Sequence, residues 1–126
     1  MRLLPTWLHG AMDYVLGATL ILVPFAFRFP TEESAMVPVA MGLGLILYSA
    51  LTDYELGAYP VIGMRAHLVL DVAGGLLLAA SPWIFEFASR ISTPHVVFGA
   101  LEVGVALLTQ TVPARGPADT RIVSAK

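Results

Sequence analysis

The chain of 126 residues contains no cysteine, and that absence removes several chemistries at once. There can be no disulfide, thiolate metal site, iron–sulfur cluster or redox thiol. Charge is scarce as well. Only 13 % of the residues are Asp, Glu, Lys or Arg, about half the ~25 % of an ordinary soluble domain. The Lys and Arg residues form no basic run, and the formal net charge is −2, so no nucleic-acid partner is expected. Also missing are a Gly-rich phosphate loop, an HExxH signature and any nucleophile–base–orienter set, so the chain is not expected to be an enzyme.

What is present is apolar. Hydrophobic residues make up 57 % of the chain, and the mean hydropathy is +0.79. Four uninterrupted runs carry it: YVLGATLILVPFAF, AMVPVAMGLGLILYSAL, LVLDVAGGLLLAASPWIF and HVVFGALEVGVALL. With their flanks each approaches the roughly 17–25 residues that cross a bilayer as a helix. Spans are expected at about 6–28, 35–53, 66–87 and 94–112. Helix is required because lipid offers no partner for an open backbone, and the runs do not alternate as barrel strands do. The N-terminal run resembles a leader in opening with Arg2. His9 and Asp13 interrupt its apolar core, however, and it continues to Phe27, so a retained first span is expected.

Arg2, Arg65, Arg115, Arg121 and Lys126 fall in the N-terminus, middle loop and tail, against Arg28 and Arg90 in the other two loops. The positive-inside bias then puts both termini in the cytoplasm, in a multi-pass protein of the cell inner (plasma) membrane whose first partner is the lipid bilayer.

The chain also repeats itself. At an offset of 58, His9, Asp13, Gly17, Pro24, Phe27 and Phe29 map onto His67, Asp71, Gly75, Pro82, Phe85 and Phe87. At an offset of 57, Gly42, Leu51 and Thr52 map onto Gly99, Leu108 and Thr109. The expected fold is therefore all-α, an integral membrane four-helix bundle made of two tandem two-helix repeats in parallel orientation. Its parts are an N-terminal cytoplasmic end (1–5), a first repeat (6–57), a connecting loop (58–65), a second repeat (66–112) and a flexible cytoplasmic tail (113–126).

Ser81, Pro82 and Trp83 close the third span, with Pro24 and Phe25 as their worn counterpart in the first. Together with LHGAMDY and LTDYELG, this tripeptide resembles the SPW-repeat family, small bacterial membrane proteins built from a two-helix repeat. The resemblance covers about residues 6–112 and implies an architecture but no particular activity. Physically, Pro stops or kinks a helix and Trp prefers the headgroup level, so the motif reads as structural.

The chemistry concentrates elsewhere. His9 and Asp13, like His67 and Asp71, are four residues apart on one helical stripe that continues to a Gly. The matching stripes are Pro38, Gly42, Leu45 and Ser49 on the second span and His95, Gly99, Glu102 and Ala106 on the fourth. Small residues allow close helix approach in lipid, so the four ionisable side chains are expected to meet in one inner-leaflet cluster. Asp53, Glu55 and Glu102 are secondary candidates, and His95 is expected at a wet interface.

The leading expectation is a non-enzymatic structural or binding module with no cofactor. Imidazole and carboxylate donors also suit a divalent metal, a His pair suits a b-type haem, and intramembrane ionisable groups suit proton or ion transport. Transport would imply a homo-oligomer, since one four-helix bundle leaves little room for a pore.

Overall fold

The structure, a computed structural model, describes residues 1–114. Four helices account for most of them: α1 (Thr6–Ala26), α2 (Glu32–Ala50), α3 (Met64–Ile84) and α4 (Thr93–Leu108). Among the described residues there is no strand, only two isolated bridges. The first three helices are long and apolar enough to cross a membrane; α4, with 16 residues, is shorter. Arg115, Arg121, Lys126 and most of the expected tail lie outside the described residues.

The helix ends follow from local chemistry. At the start of α2, the Thr31 hydroxyl accepts from Ser34 N and the Ser34 hydroxyl accepts from Thr31 N, a reciprocal cap. Glu32 and Glu33 follow in the first turn, where the helix dipole favours negative charge. Helices α1 and α3 end alike. Arg28 and Glu86 adopt left-handed φ values of 50° and 59°, and the next residues, Phe29 and Phe87, donate back to Pro24 O and Pro82 O at 2.9 Å. That is the C-terminal closure usually given to glycine.

The motif prolines therefore lie in the last turn rather than stopping the helix outright. Pro82 has no N–H for Leu78 O, and the Ser81 hydroxyl donates to that carbonyl at 2.7 Å instead. The serine of the tripeptide repairs the gap its proline makes. In α1, Val23 occupies the matching position and has no hydroxyl to offer.

Packing is the reverse of that in a soluble protein. Val15, Leu22, Leu43, Leu47, Val69, Leu76, Val97 and Leu107 point outward, the side that lipid would cover. The inward stripes hold Pro38, Gly42, Leu45 and Ser49 on α2 and His95, Gly99, Glu102 and Ala106 on α4. Helix α1 packs on α2 and α3 on α4, while the two hairpins meet mainly along α2 and α3.

The chain closes at one end of the bundle by the same device twice. Ile62 N donates to Leu51 O at 2.8 Å and Asp53 N to Ile62 O at 2.8 Å. Leu4 N donates to Leu108 O at 3.0 Å and Gln110 N to Leu4 O at 2.9 Å. Each second helix is thus tied to the entry of a first helix, which places Thr52 and Thr109 deep in the bundle.

His95 is buried at 2 % exposure, not wet at an interface. The reason is Pro38, which cannot donate to Ser34 O from within α2. His95 Nε2 lies 2.9 Å from that carbonyl and donates to it across the helix pair, with its ring between Phe29 and Phe87. Replacing His95 with Leu is expected to cost about 1–3 kcal/mol, because a buried carbonyl loses its donor. In a Pro38→Ala background, where the helix supplies the N–H, equilibrium unfolding should find that cost reduced. An equal cost in both backgrounds would reduce His95 to a packing role.

Candidate functional site

His9 and Asp13 come from the first half of α1, His67 and Asp71 from the first half of α3, and all four are buried. Intrahelical spacing stacks each pair, but the shortest contacts cross between helices. His9 Nε2 lies 2.9 Å from Asp71 Oδ2, and His67 Nε2 lies 2.9 Å from Asp13 Oδ2. The pairs within a helix are longer, at 3.1 Å for His9 with Asp13 and 3.3 Å for His67 with Asp71. The two Nε2 atoms are 3.1 Å apart. Four donor atoms, two nitrogen and two oxygen, therefore converge on one point, all within 4.8 Å of one another.

The outer sides of the imidazoles fix their tautomers. The Thr52 hydroxyl lies 2.8 Å from His67 Nδ1, and the Thr109 hydroxyl lies 2.8 Å from His9 Nδ1. Each threonine has one proton, and each gives it to a backbone carbonyl one turn back: Tyr48 O at 2.6 Å and Val105 O at 2.7 Å. The threonine oxygens must then accept, so both rings carry hydrogen on Nδ1. Neutral rings in that tautomer turn bare Nε2 lone pairs toward each other and toward two carboxylate oxygens. Four acceptors facing one another need a cation between them, either protons or a metal ion.

The carboxylates are held from behind too. Tyr48 Oη donates to Asp71 Oδ1 at 2.7 Å, and Ser49 Oγ donates to Asp13 Oδ2 at 3.3 Å. The Tyr48 ring stacks edge-on against His67 with centroids 5.1 Å apart. Asp71 Oδ2 forms no hydrogen bond of acceptable angle despite its two close nitrogens. Such an atom is aimed at the common centre rather than at a neighbour.

A tetrahedral ion bonded at about 2.0–2.2 Å would set its nitrogen and oxygen ligands roughly 3.3–3.6 Å apart. The present N–O separations of 2.9–3.3 Å would have to expand by a few tenths of an ångström, and the two carboxylates, in a set that spans up to 4.8 Å, would have to draw together around the ion. A haem does not fit. It requires imidazoles on opposite faces of a macrocycle, and nitrogens 3.1 Å apart leave no space for one.

Of the secondary candidates, Glu102 lies close by. It is 5 % exposed, its Oε1 is 3.4 Å from Tyr48 Oη, and its Oε2 has no partner. Asp53 and Glu55 do not join the centre; both are exposed in the α2–α3 loop. Glu55 instead accepts the Thr6 hydroxyl at 2.6 and 2.8 Å and Ala114 N at 2.9 Å, tying the start of α1 to the chain beyond α4.

The sequence reading left Tyr48, Ser49, Thr52 and Thr109 outside the site. The threonines had a signal, since they recur at an offset of 57. Tyr48 and Ser49 had none, because Val105 and Ala106 occupy the corresponding positions.

Compared with known proteins, residues 6–109 match the family model described as the SPW repeat domain. No curated protein and no solved structure matches the chain.

Proposed function

The chain belongs to the SPW repeat family, a helical membrane protein, and from that premise we propose that it is a non-enzymatic metal-binding module. The bound ion would be a divalent transition metal, with His9, His67, Asp13 and Asp71 as its four ligands. One observation carries the reading: Thr52 and Thr109 hold both Nδ1 hydrogens outward, which turns the two Nε2 atoms and two carboxylate oxygens onto one centre that a single divalent ion would fill. Two imidazole and two carboxylate donors are a set that zinc accepts. Two aspartates and a divalent ion sum to zero charge, which lowers the cost of the centre in lipid. The threonine and tyrosine contacts are the kind of outer support that orients metal ligands. Four protein ligands leave no open position for water or substrate, which favours holding an ion over hydrolytic chemistry.

Protein purified in mild detergent without chelator should carry about one divalent metal ion per chain by elemental analysis. Cobalt substitution should give the visible absorption of a tetrahedral ion. Protein that arrives metal-free and takes up neither zinc nor cobalt would overturn the reading.

A second reading has one observation in its favour. Asp71, Tyr48 and Glu102 form a short polar chain leading away from the centre, a route along which protons could pass. Proton flux in liposomes that disappears in Tyr48→Phe would favour transport, with a homo-oligomer supplying the pathway.

The two-repeat, parallel arrangement and cytoplasmic termini belong to the same proposal. The recurrence of contacts at offsets of 57 and 58 supports the former, and the Arg/Lys distribution supports the latter. Reporters fused after Lys126 and within residues 28–34 should report opposite sides of the membrane. The same side for both would exclude the topology.

A further inference from the structure

Helices α1 and α4 are separated by a cavity of about 320 Å³, lined by Ala11, Asp13 and Thr19 on one side and Phe98, Glu102 and Val105 on the other. Its size is at the lower end of the roughly 300–1,000 Å³ of small-molecule sites. Val15 and Leu101, both exposed on the outer surface, also line it and open it toward the lipid side.

On the opposite flank of the bundle the corresponding place is occupied by a side chain. Between α2 and α3, Tyr48 fills the seam: its ring lies against His67 and its hydroxyl donates to Asp71 Oδ1 at 2.7 Å. At the offsets that relate the other paired contacts, Tyr48 corresponds to Val105 and Asp71 to Asp13. Val105 has neither the ring nor the hydroxyl, so the place of a phenol is left open beside Asp13. Among the described residues no hydrogen bond ends on Asp13 Oδ1, whereas Oδ2 faces the His/Asp centre. Glu102, whose Oε2 is buried without a partner, is also among the lining residues.

We propose that this cavity binds a lipid-soluble phenol, whose ring takes the place that Tyr48 fills on the other flank and whose hydroxyl donates to Asp13. The chemistry selects that class. Entry is from lipid, so the ligand must be apolar in body, and the apolar walls exclude sugars and phosphates. The carboxylate accepts a hydrogen bond, so the ligand must carry a donor. The site does not depend on a metal, because the centre engages Asp13 Oδ2 and leaves Oδ1 without a hydrogen bond among the described residues.

The test compares 4-octylphenol with its methyl ether, 4-octylanisole, added to the protein in phosphatidylcholine nanodiscs and counted by native mass spectrometry. One 4-octylphenol should bind per chain, saturably, and the ether at least about tenfold more weakly, the loss expected for a hydrogen bond to a charged group. Val105→Tyr, which supplies the missing ring from within, and Ala11→Leu, which narrows the cavity, should each abolish binding. Equal binding of phenol and ether would make the cavity an acyl-chain groove and overturn the proposal. Binding that survives both variants, or no saturable binding at all, would overturn it too. If neither variant folds, the phenol–ether comparison on the unaltered chain still decides. Metal content measured on the same sample reports separately on the proposed metal centre.

Discussion

His67→Ala should cost about 3–5 kcal/mol of stability, the scale expected when one partner of a buried ionic set is removed and the others stay buried. His67 touches both carboxylates, at 2.9 and 3.3 Å, and the other imidazole at 3.1 Å. Deleting it leaves Asp13 and Asp71 facing each other across a void with a single neutralising partner. His9→Ala should cost a similar amount, since His9 makes the mirror set of contacts at 2.9 and 3.1 Å. The double variant should then cost less than the sum, by about 0.5–3 kcal/mol, because residues in one network fail additivity. Equilibrium unfolding in mixed micelles measures all three. Bound metal should disappear in either single variant, because three ligands hold an ion far less well than four. Strict additivity would mean two independent helix-local pairs and would remove the shared centre.

The second large effect is expected at the glycine contacts that let the helices approach. A Cβ on Gly99 would collide with Gly75 O and lie 2.6 Å from Ala79 N, both backbone atoms that cannot swing aside. A Cβ on Gly42 would lie 2.5 Å from Gly17 O. Gly99→Ala should therefore force α3 and α4 apart and cost about 1–3 kcal/mol, the range of overpacking, although Ala is the better helix former. Gly104 provides the control, since nothing lies within 4 Å of its would-be Cβ. Gly104→Ala should be neutral or stabilising. If both substitutions were equally mild, the close approach of α3 and α4 would not be a source of stability.

The control also separates what a glycine's residue type says from what its position says. Gly99 and Gly104 are both glycines in one apolar helix, and the repeat pairing with Gly42 singled out only Gly99. The stripe period then put His95, Gly99, Glu102 and Ala106 on one face, and they are the buried residues of α4. Period and recurrence are local properties of a chain in lipid, where every helix must satisfy its own backbone. They were therefore legible before any contact was known.

By itself, then, the sequence determined four helices, their inward stripes and the four ionisable residues that meet. Each follows from hydropathy, a 3.6-residue period or a repeated spacing. It did not decide which carboxylate each imidazole faces, and the tertiary structure put the shorter contact across helices rather than within them. Nor could it reveal that His95 serves a carbonyl freed by Pro38, 57 residues earlier, or that Thr52 and Thr109 set the tautomers from the far ends of other helices. It misplaced Asp53 and Glu55 because closeness in sequence to the end of α2 did not fix their direction, and the loop turned both outward. The physical reason is common to these cases. A helix dictates which of its residues share a face, but the partner of a buried donor or acceptor depends on the rotation and depth of a neighbouring helix, which only packing sets.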